Sequence, residues 1–201
     1  IDTYVEPFAG GAGAALGLLC RGHVQKIILN DADEFVYKFW HSLLNKKTRL
    51  VNKIKDTPVT IKQYYKQKEL FQQLSKRKYA SDLEIGFTAF YLNRCNRSGI
   101  SQSGPIGGYE QSGDWKIDAR FNKEDLINRI EKVHEYRNSI DFYNEDAIDF
   151  LRNTLPKLGL DFDRTLIYLD PPYFEQGPKL YRTYYKNDQH TELKDFLMHE
   201  L

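Results

Sequence analysis

Asp170 and the two prolines that follow it are the residues whose types and spacing most clearly suggest chemistry. They come directly after a short apolar run at positions 166–169. Two successive prolines, Pro171 and Pro172, fix two backbone φ angles and remove two N–H donors, so the carbonyl groups of this turn point out of a stiff backbone. The segment therefore offers a carboxylate and carbonyl oxygens as acceptors in fixed positions. Such a turn is suited to holding a ligand still.

The apolar run before Asp170 predicts the element that positions it. Residues 166–169 are apolar, largely aliphatic and bounded by turn signals, which is typical of a strand covered on both faces in an α/β sheet. Open parallel sheets bind their ligands at the carboxyl ends of the strands. We therefore expect Asp170 to lie at a ligand-binding edge.

A second pattern, near the start of the chain, is typical of nucleotide-binding α/β folds. A strand is predicted over residues 3–6, followed by the turn "PFAGGAG", a helix from about Ala14 to Cys20 that ends near Gly22, and the strand "KIILND". Glycines in such a turn allow the backbone to approach a ligand closely, and the acid at the tip of the second strand, Asp31, can accept from ribose hydroxyls. A tight turn without a ligand is the alternative. The turn glycines are Gly10, Gly11 and Gly13.

The residues before these glycines favour one kind of ligand. Glu6 and Phe8 supply an acid and a bulky ring. They suit a ligand with an adenosine and a cationic amino-acid end better than a ligand with phosphates, for which the pattern G-x-G-x-x-G is usual.

The rest of the chain predicts further helices, one more strand and a long loop. Helices are expected over "FVYKFWHSLL", within the helical pattern of 61–93, and over "FNKEDLINRIEKVHEY" with Asn122 as N-cap. The stretch at 98–115 is rich in Gly and Ser and predicts loops or a hairpin. A strand over "SIDFYNED" ends at Glu145 and Asp146, and a helix follows through Phe150 and Leu151.

Charge is distributed unevenly along the sequence. Between Lys38 and Tyr79 there are twelve Lys and Arg against two acids, a net charge of +10, while the whole chain carries +1, so the remainder carries −9. Such a run is either a solvated helix face or, with the aromatic residues interleaved here, a surface that faces phosphates.

Length and composition exclude several classes of protein. The 201 residues can form one domain, or one domain with a large insertion. No apolar stretch is long enough for a membrane span and the first residues do not resemble a signal peptide, so we expect a cytoplasmic protein. Cys20 and Cys95 are far apart, which predicts neither a disulfide framework nor a metal site, and we expect both to be small buried or half-buried side chains.

Four motifs carry a resemblance to a known family. "EPFAGGAG", "ILND", "FYNED" and "LDPPY" occur in that order, with a long insertion between the second and the third. Together they resemble the Dam-like family of DNA N6-adenine methyltransferases, and "FYLNRCNRSGI", "GPIGG", "ARFNKEDLINRI" and "LYRTYYKNDQHTEL" are also similar to that family. The resemblance implies a Rossmann-like α/β methyltransferase sheet with an inserted, mainly helical DNA-recognition subdomain. It implies S-adenosylmethionine as cofactor and double-stranded DNA as substrate.

The resemblance also implies boundaries. Residues 1–45 and 120–201 would form the catalytic core, and residues 46–119 the inserted target-recognition subdomain. Family members begin with a lysine- and glycine-containing segment and end with further strands that the printed sequence does not contain. We therefore expect either that the sequence omits parts of the natural chain or that it is a degenerate copy.

Site residues follow from the resemblance one by one. Catalysis would use the Asp170 carboxylate and the Pro171 carbonyl to hold the two N6 hydrogens, Pro172 to stiffen the turn, and Tyr173 to stack on a flipped adenine. Asp146 would contact the adenine of the cofactor, or else cap a helix. The predicted cofactor-binding residues are Glu6, Phe8, Gly10, Gly11, Gly13, Asp31, Asp146 and Asp170, with Phe8 alternatively a core residue. The predicted DNA-binding residues are Lys62, Lys66, Lys76, Arg77, Lys78, Arg94, Arg97 and Tyr184.

Alternatives remain open at this point. The substrate could be RNA adenine, cytosine N4 or a protein glutamine, although Asp170 argues against the last two, whose motifs usually open with Ser or Asn. A non-catalytic nucleic-acid-binding remnant of the fold is a third reading. Arg97 and Ser98 replace the aromatic and amide residues of members that recognise GATC, so the target site is left open. A cognate restriction endonuclease is a possible partner.

Overall fold

The chain forms two compact units. The computed structural model describes residues 1–74, 81–100, 103–172 and 187–199. Ile1–Tyr37 and Tyr136–Leu201 make the first unit, and Lys38–Glu135 the second. These bounds differ from the predicted 45/46 and 119/120, because residues 38–45 and 123–135 make their contacts within the second unit. Lys38 and His41 pair with Asp82, for example.

A parallel four-stranded sheet organises the first unit. Its strands are β1 (Thr3–Glu6), β2 (Lys26–Asn30), β3 (Ile140–Tyr143) and β4 (Thr165–Ile167), in the spatial order β3-β2-β1-β4. Every pairing is parallel, and Val5 of β1 lies between Ile28 and Ile167. Helix α1 (Gly13–Cys20) contacts β1 and β2. This mixed α/β arrangement, a parallel sheet flanked by helices, confirms the predicted Rossmann-like class.

The core of the first unit is built on β1 and β2. Val5 and Ile28 are fully buried. Helical residues after β3, and residues of the last helix α8 (Asn187–His199), pack on them. The helical members of this cluster are Ala147, Ile148, Phe150, Leu151, Leu155, Leu193 and Phe196.

The prediction that β4 is covered on both faces was wrong. Ile167 and Leu169 pack against the core, but Leu166 and Tyr168 are 48% and 44% exposed. Alternate residues of a strand point to opposite faces, and only one face of β4 is covered by the described part of the chain. The run is apolar on both faces, so its pattern could not distinguish a half-covered strand from a buried one.

The helix after β3 changes its pitch. It begins as α7 (Ala147–Asp149), continues as a π turn over Phe150–Thr154 and ends as a 3₁₀ segment over Leu155–Leu158. The predicted helix through Phe150 and Leu151 is therefore present, but not as a regular α-helix. Further 3₁₀ turns occur at Arg97–Gly99, Arg137–Ser139 and Phe162–Arg164.

Helices make up the regular structure of the second unit. Helix α2 (Glu34–Asn45) begins in the first unit and ends in the second; α3 (Lys47–Asp56), α4 (Ile61–Leu74), α5 (Asp82–Cys95) and α6 (Lys123–Glu135) follow. The helical pattern predicted over 61–93 thus comprises α4 and α5. Asn122 caps α6 as predicted, because its Oδ1 accepts the N–H of Asp125 at 3.1 Å.

Close packing joins α2 and α5 within this second unit. The rings of Phe39 and Phe90 stack with centroids 5.1 Å apart. A Cβ at Gly86 would lie 2.5 Å from the Lys38 carbonyl oxygen, so the two helix backbones meet at that glycine. Cys95, at the end of α5, is completely buried, and burial raises the pKa of its thiol to about 12. Cys20, in α1 of the first unit, is half-buried.

The segment after α5 is a loop and not a hairpin. Its one β-type contact within the described residues is an isolated bridge between Asn96 and Pro105. The Gln111 side chain donates to the carbonyls of Ile106 and Gly108 and accepts the N–H of Ile117. The loop is therefore held by its own hydrogen bonds. No helix in the described ranges has the length and apolar character needed to cross a bilayer.

Candidate active site

Acidic residues converge where the parallel strands of the first unit end. Glu6 is the last residue of β1, Asp31 follows β2, Glu145 follows β3 and Asp170 follows β4. Because the strands are parallel, their carboxyl ends lie at one edge of the sheet. The sequence predicted Asp31 and Asp170 at this edge.

The glycine turn between β1 and α1 is open above its backbone. Cβ atoms built on Gly10, Gly11 or Gly13 would meet nothing within 4 Å. The turn also contains a left-handed non-glycine residue, Ala12, with φ +49° at the N-cap of α1. This conformation was not predicted, since the neighbouring glycines are the residues that adopt it at no cost. The space beside the turn can admit part of a ligand.

Asp31 holds this turn in place. Its Oδ2 accepts the N–H of Gly10 at 2.8 Å, and its Oδ1 accepts the N–H of Asp33 at 2.8 Å. Burial raises the pKa of the carboxyl group to about 6, even though these two hydrogen bonds favour the ionised form. Asp31 therefore has a structural task in addition to any contact with a ligand.

Asn30 was not predicted as a site residue. It is completely buried at the end of β2. Its Nδ2 donates to the carbonyls of Pro7 and Glu145, both at 3.1 Å, and its Oδ1 accepts the N–H of Glu145 at 3.0 Å. The one signal in the sequence is an amide residue at the end of an otherwise apolar strand, where asparagine is uncommon.

Glu6 has a buried carboxyl group at the end of β1. The residue is only 6% exposed, and its Oε2 has no partner among the residues that the structure describes. Burial raises the pKa of the Glu6 carboxyl to about 7; the nearby charge of Asp170 acts in the same direction, while a hydrogen bond from the backbone of Ala15 opposes it. A buried acceptor of this kind is suited to a cationic or hydrogen-bonding ligand.

The turn after β4 brings Asp170 close enough for its charge to act on the Glu6 carboxyl. The N–H of Tyr168 donates to the Val5 carbonyl at 2.9 Å, which extends the pairing with β1 toward Asp170. The Asp170 side chain is exposed, and its charge helps to raise the pKa of Glu6 and of Tyr4. Pro171 and Pro172 follow in a segment without regular secondary structure. Tyr173 lies outside the described residues.

Comparison with family models decides the class of the protein. The model of the D12 class N6 adenine-specific DNA methyltransferases matches residues 1–199. The chain belongs to this family. Its members are enzymes that modify adenine in DNA, so the resemblance inferred from the four motifs is confirmed. No curated protein matches the chain.

Two predicted cofactor residues of the methyltransferase have structural contacts. The Oδ1 of Asp146 accepts the N–H groups of Ile148 at 2.9 Å and of Asp149 at 3.4 Å, which makes it the N-cap of α7. Phe8 is partly buried against the core of the first unit. The alternative readings of both residues, a helix cap and a core ring, are thus realised, and their contacts with a cofactor stay predictions.

The predicted DNA-binding residues of the methyltransferase fall into three groups. Lys62, Lys66 and Arg97 are exposed on the second unit. Arg94 is partly buried, and its Nε donates to the Arg120 carbonyl at 2.9 Å, so it has a structural contact. The remaining four, Lys76, Arg77, Lys78 and Tyr184, lie outside the described residues.

The second unit also has an exposed pair of stacked tyrosines beside a lysine, and the sequence did not predict this pairing. The rings of Tyr65 and Tyr109 stack with centroids 5.9 Å apart and are each about half exposed. The Nζ of Lys68 lies 5.8 Å from the Tyr109 ring and donates to its hydroxyl at 3.4 Å. Tyr65 and Tyr109 are 44 positions apart, so no local sequence pattern could indicate that they stack.

Net charge differs in sign between the two units, as it does between the basic sequence segment and the remainder of the chain. The second unit contains 19 Lys and Arg against 11 Asp and Glu, which is +8, and the remainder of the chain carries −7 of the total of +1. A positive surface favours binding to the phosphates of DNA. Within the described residues, no group of three or more His, Cys, Asp or Glu is placed to hold a metal ion.

Proposed function

We propose that the protein transfers the methyl group of S-adenosylmethionine to the N6 amine of an adenine flipped out of a specific double-stranded DNA site. The observation that carries the proposal is the pairing of an open glycine turn and a buried Glu6 carboxyl, one oxygen of which has no partner among the described residues, with Asp170 beyond the end of the adjacent strand. In a chain of the D12 family, this edge of the sheet combines a place for a cationic cofactor with a place for an amine.

The residues at the strand ends fit the parts of this cofactor. The Glu6 carboxyl is suited to its ammonium group, Asp31 to the ribose hydroxyls and the Asp146 region to the adenine. The open space above Gly10 and Gly11 allows a ligand to approach the backbone. S-adenosylmethionine supplies an electrophilic methyl group on a sulfonium. The protein supplies the carboxylates that favour positive charge nearby.

Asp170 and Pro171 are suited to activating the amine. The lone pair of an exocyclic adenine N6 is delocalised into the ring, so the amine is a weak nucleophile. Two acceptors, the Asp170 carboxylate and the Pro171 carbonyl, can bind the two N6 hydrogens and direct the lone pair away from the ring. The prolines restrict the backbone that carries both acceptors. The Tyr173 ring would stack on the flipped base.

The second unit is suited to binding the duplex. Its net charge of +8 and the exposed Lys62, Lys66 and Arg97 favour contacts with phosphates. Phosphate contacts position a protein on DNA, and contacts with base edges select the site. We assign the inserted unit to DNA binding for this reason.

The test is methyl transfer to a mixed pool of DNA duplexes with S-adenosylmethionine, followed by nucleoside analysis and mapping of the modified positions. The proposal predicts N6-methyladenine at one short recurring sequence. Detection of N4-methylcytosine would contradict the proposal and indicate cytosine as the substrate. Methylation of an RNA pool but not of DNA would contradict it and indicate RNA. Calorimetry with S-adenosylmethionine separates an active enzyme from a non-catalytic remnant, since the remnant would not bind the cofactor.

A further inference from the structure

Asn30 uses its side-chain amide to join two loops that are far apart in the sequence. Both Nδ2 contacts and the Oδ1 contact are made to backbone groups, those of Pro7 and Glu145. Pro7 is 23 positions away and Glu145 is 115 positions away. The amide therefore connects the loop after β1 with the loop after β3, across the end of β2.

These two loops are the ones that flank the proposed cofactor site. Pro7 lies between Glu6 and the glycine turn, and Glu145 lies directly before Asp146. On the proposed function, the loop after β1 faces the amino-acid end of the cofactor and the loop after β3 faces its adenine. A ligand that spans both loops needs them at a fixed spacing.

The chemistry of the Asn30 side chain leaves it little room for another role. Both hydrogens of its amide are used by carbonyls, and the residue is completely buried. None of the other amino acids of similar size offers two donors and an acceptor in this geometry. Backbone contacts of this kind position other groups and do not read a ligand directly.

We propose that Asn30 is a positioning residue that sets the spacing between the two cofactor-binding loops. The inference rests on the proposed function and deepens it. It makes the affinity for the whole cofactor depend on a residue that does not touch the cofactor. Substitution of Asn30 should raise KM for S-adenosylmethionine far more than it lowers kcat at saturating cofactor, because the acceptors at Asp170 stay in place.

The experiment compares Asn30→Ala and Asn30→Asp with a matched control, Thr88→Val. Thr88 is also completely buried and donates one hydrogen bond, to Gln67, but it lies in the second unit. Calorimetry measures binding of S-adenosylhomocysteine and of adenosine to each protein, and thermal unfolding measures stability. Asn30→Asp keeps the size of the side chain and provides a second variant if Asn30→Ala does not fold.

The expected result is a loss of about tenfold or more in affinity for S-adenosylhomocysteine and a smaller loss for adenosine, which reaches only one of the two loops. Thr88→Val should lower the melting temperature without changing either affinity. Equal losses for both ligands, or a cofactor affinity that follows stability in all variants, would overturn the inference. Wild-type protein that binds neither S-adenosylmethionine nor S-adenosylhomocysteine would overturn the proposed function and the inference with it.

Discussion

The backbone N–H of Gly10 donates to Oδ2 of Asp31 across 2.8 Å, although 21 positions separate the two residues. The second oxygen of the same carboxylate accepts the N–H of Asp33. Asp31 thus ties the glycine turn after β1 to the end of β2. A residue assigned to the ribose by its position in the motif therefore also shapes the turn that would receive the cofactor.

Replacing Asp31 should weaken cofactor binding by about 1.5–3 kcal/mol, the cost of leaving buried donors without a charged acceptor. We expect Asp31→Asn to be nearly as harmful as Asp31→Ala, because an amide can accept from only one of the two N–H groups. Titration calorimetry with S-adenosylmethionine measures the effect. Asp149→Asn, which makes the same charge change at an exposed position, is the control. If the variants bind S-adenosylmethionine with the affinity of the wild type, Asp31 does not contribute to cofactor binding.

Changes at Asp170 should affect turnover and not folding. The side chain is exposed, so Asp170→Asn and Asp170→Ala should keep the wild-type melting temperature. Loss of an acceptor that aligns N6 should lower the single-turnover rate of methylation about a hundredfold or more. Cofactor affinity should change much less than with Asp31→Ala. A variant that methylates its own DNA site at close to the wild-type rate would remove Asp170 from the mechanism.

Glu6 should make stability depend on pH. Burial raises the pKa of its carboxyl from 4.5 to about 7 in the folded protein. The protonated form is therefore favoured by folding, and this contribution is complete below pH 4.5 and is lost as the pH rises through about 7. Compared with Glu6→Gln, the wild type should lose up to about 3 kcal/mol of unfolding free energy between pH 4 and pH 8.

Denaturant unfolding of both proteins at several pH values measures this difference. The raised pKa of Asp31 is common to both proteins and cancels in the comparison. Parallel curves for the wild type and Glu6→Gln across this range would show that the Glu6 carboxyl titrates normally. In the presence of S-adenosylmethionine, the cationic ligand should favour ionised Glu6, so the affinity of the wild type should rise from pH 6 to pH 8.

Exposed lysines on α4 should govern the salt dependence of DNA binding. The double variant Lys62→Glu and Lys66→Glu should weaken binding to duplexes of any sequence and reduce the slope of log affinity against log salt by about two. Lys157→Glu makes the same kind of change at an exposed position of the acidic first unit and should have little effect. Fluorescence anisotropy at several salt concentrations provides the slopes. Binding insensitive to both salt and charge reversal would show that these lysines are only solvated.

Local patterns predicted the strands and the residues at their tips. The strand at Thr3–Glu6, the strand predicted over "KIILND" and the N-cap at Asn122 depend on neighbours in the sequence; all three are present, with the second strand ending one residue earlier, at Asn30. Asp31 and Asp170 could be placed at one edge of the sheet because parallel strands end together.

The contacts that could not be predicted from the sequence join residues that are distant along the chain. The contacts of Asn30 reach Glu145, and those of Tyr65 reach Tyr109. The compact units divide at 37/38 and 135/136 and not at the expected 45/46 and 119/120, and distant contacts such as that of Lys38 with Asp82 contribute to this division. The roles of Tyr173 and the basic residues at 76–78 still rest on the sequence, since these residues lie outside the described ranges.

The burial of Cys95 makes the second unit resistant to thiol reagents while it is folded. With a thiol pKa of about 12, on the order of one side chain in ten thousand is ionised at pH 8, and only the thiolate reacts. Alkylation of Cys95 must therefore wait for this unit to open, whereas Cys20 belongs to the first unit. Cys20 is already partly exposed, so Cys95 is the reporter, and its rate of alkylation followed by mass spectrometry gives the opening free energy of the second unit.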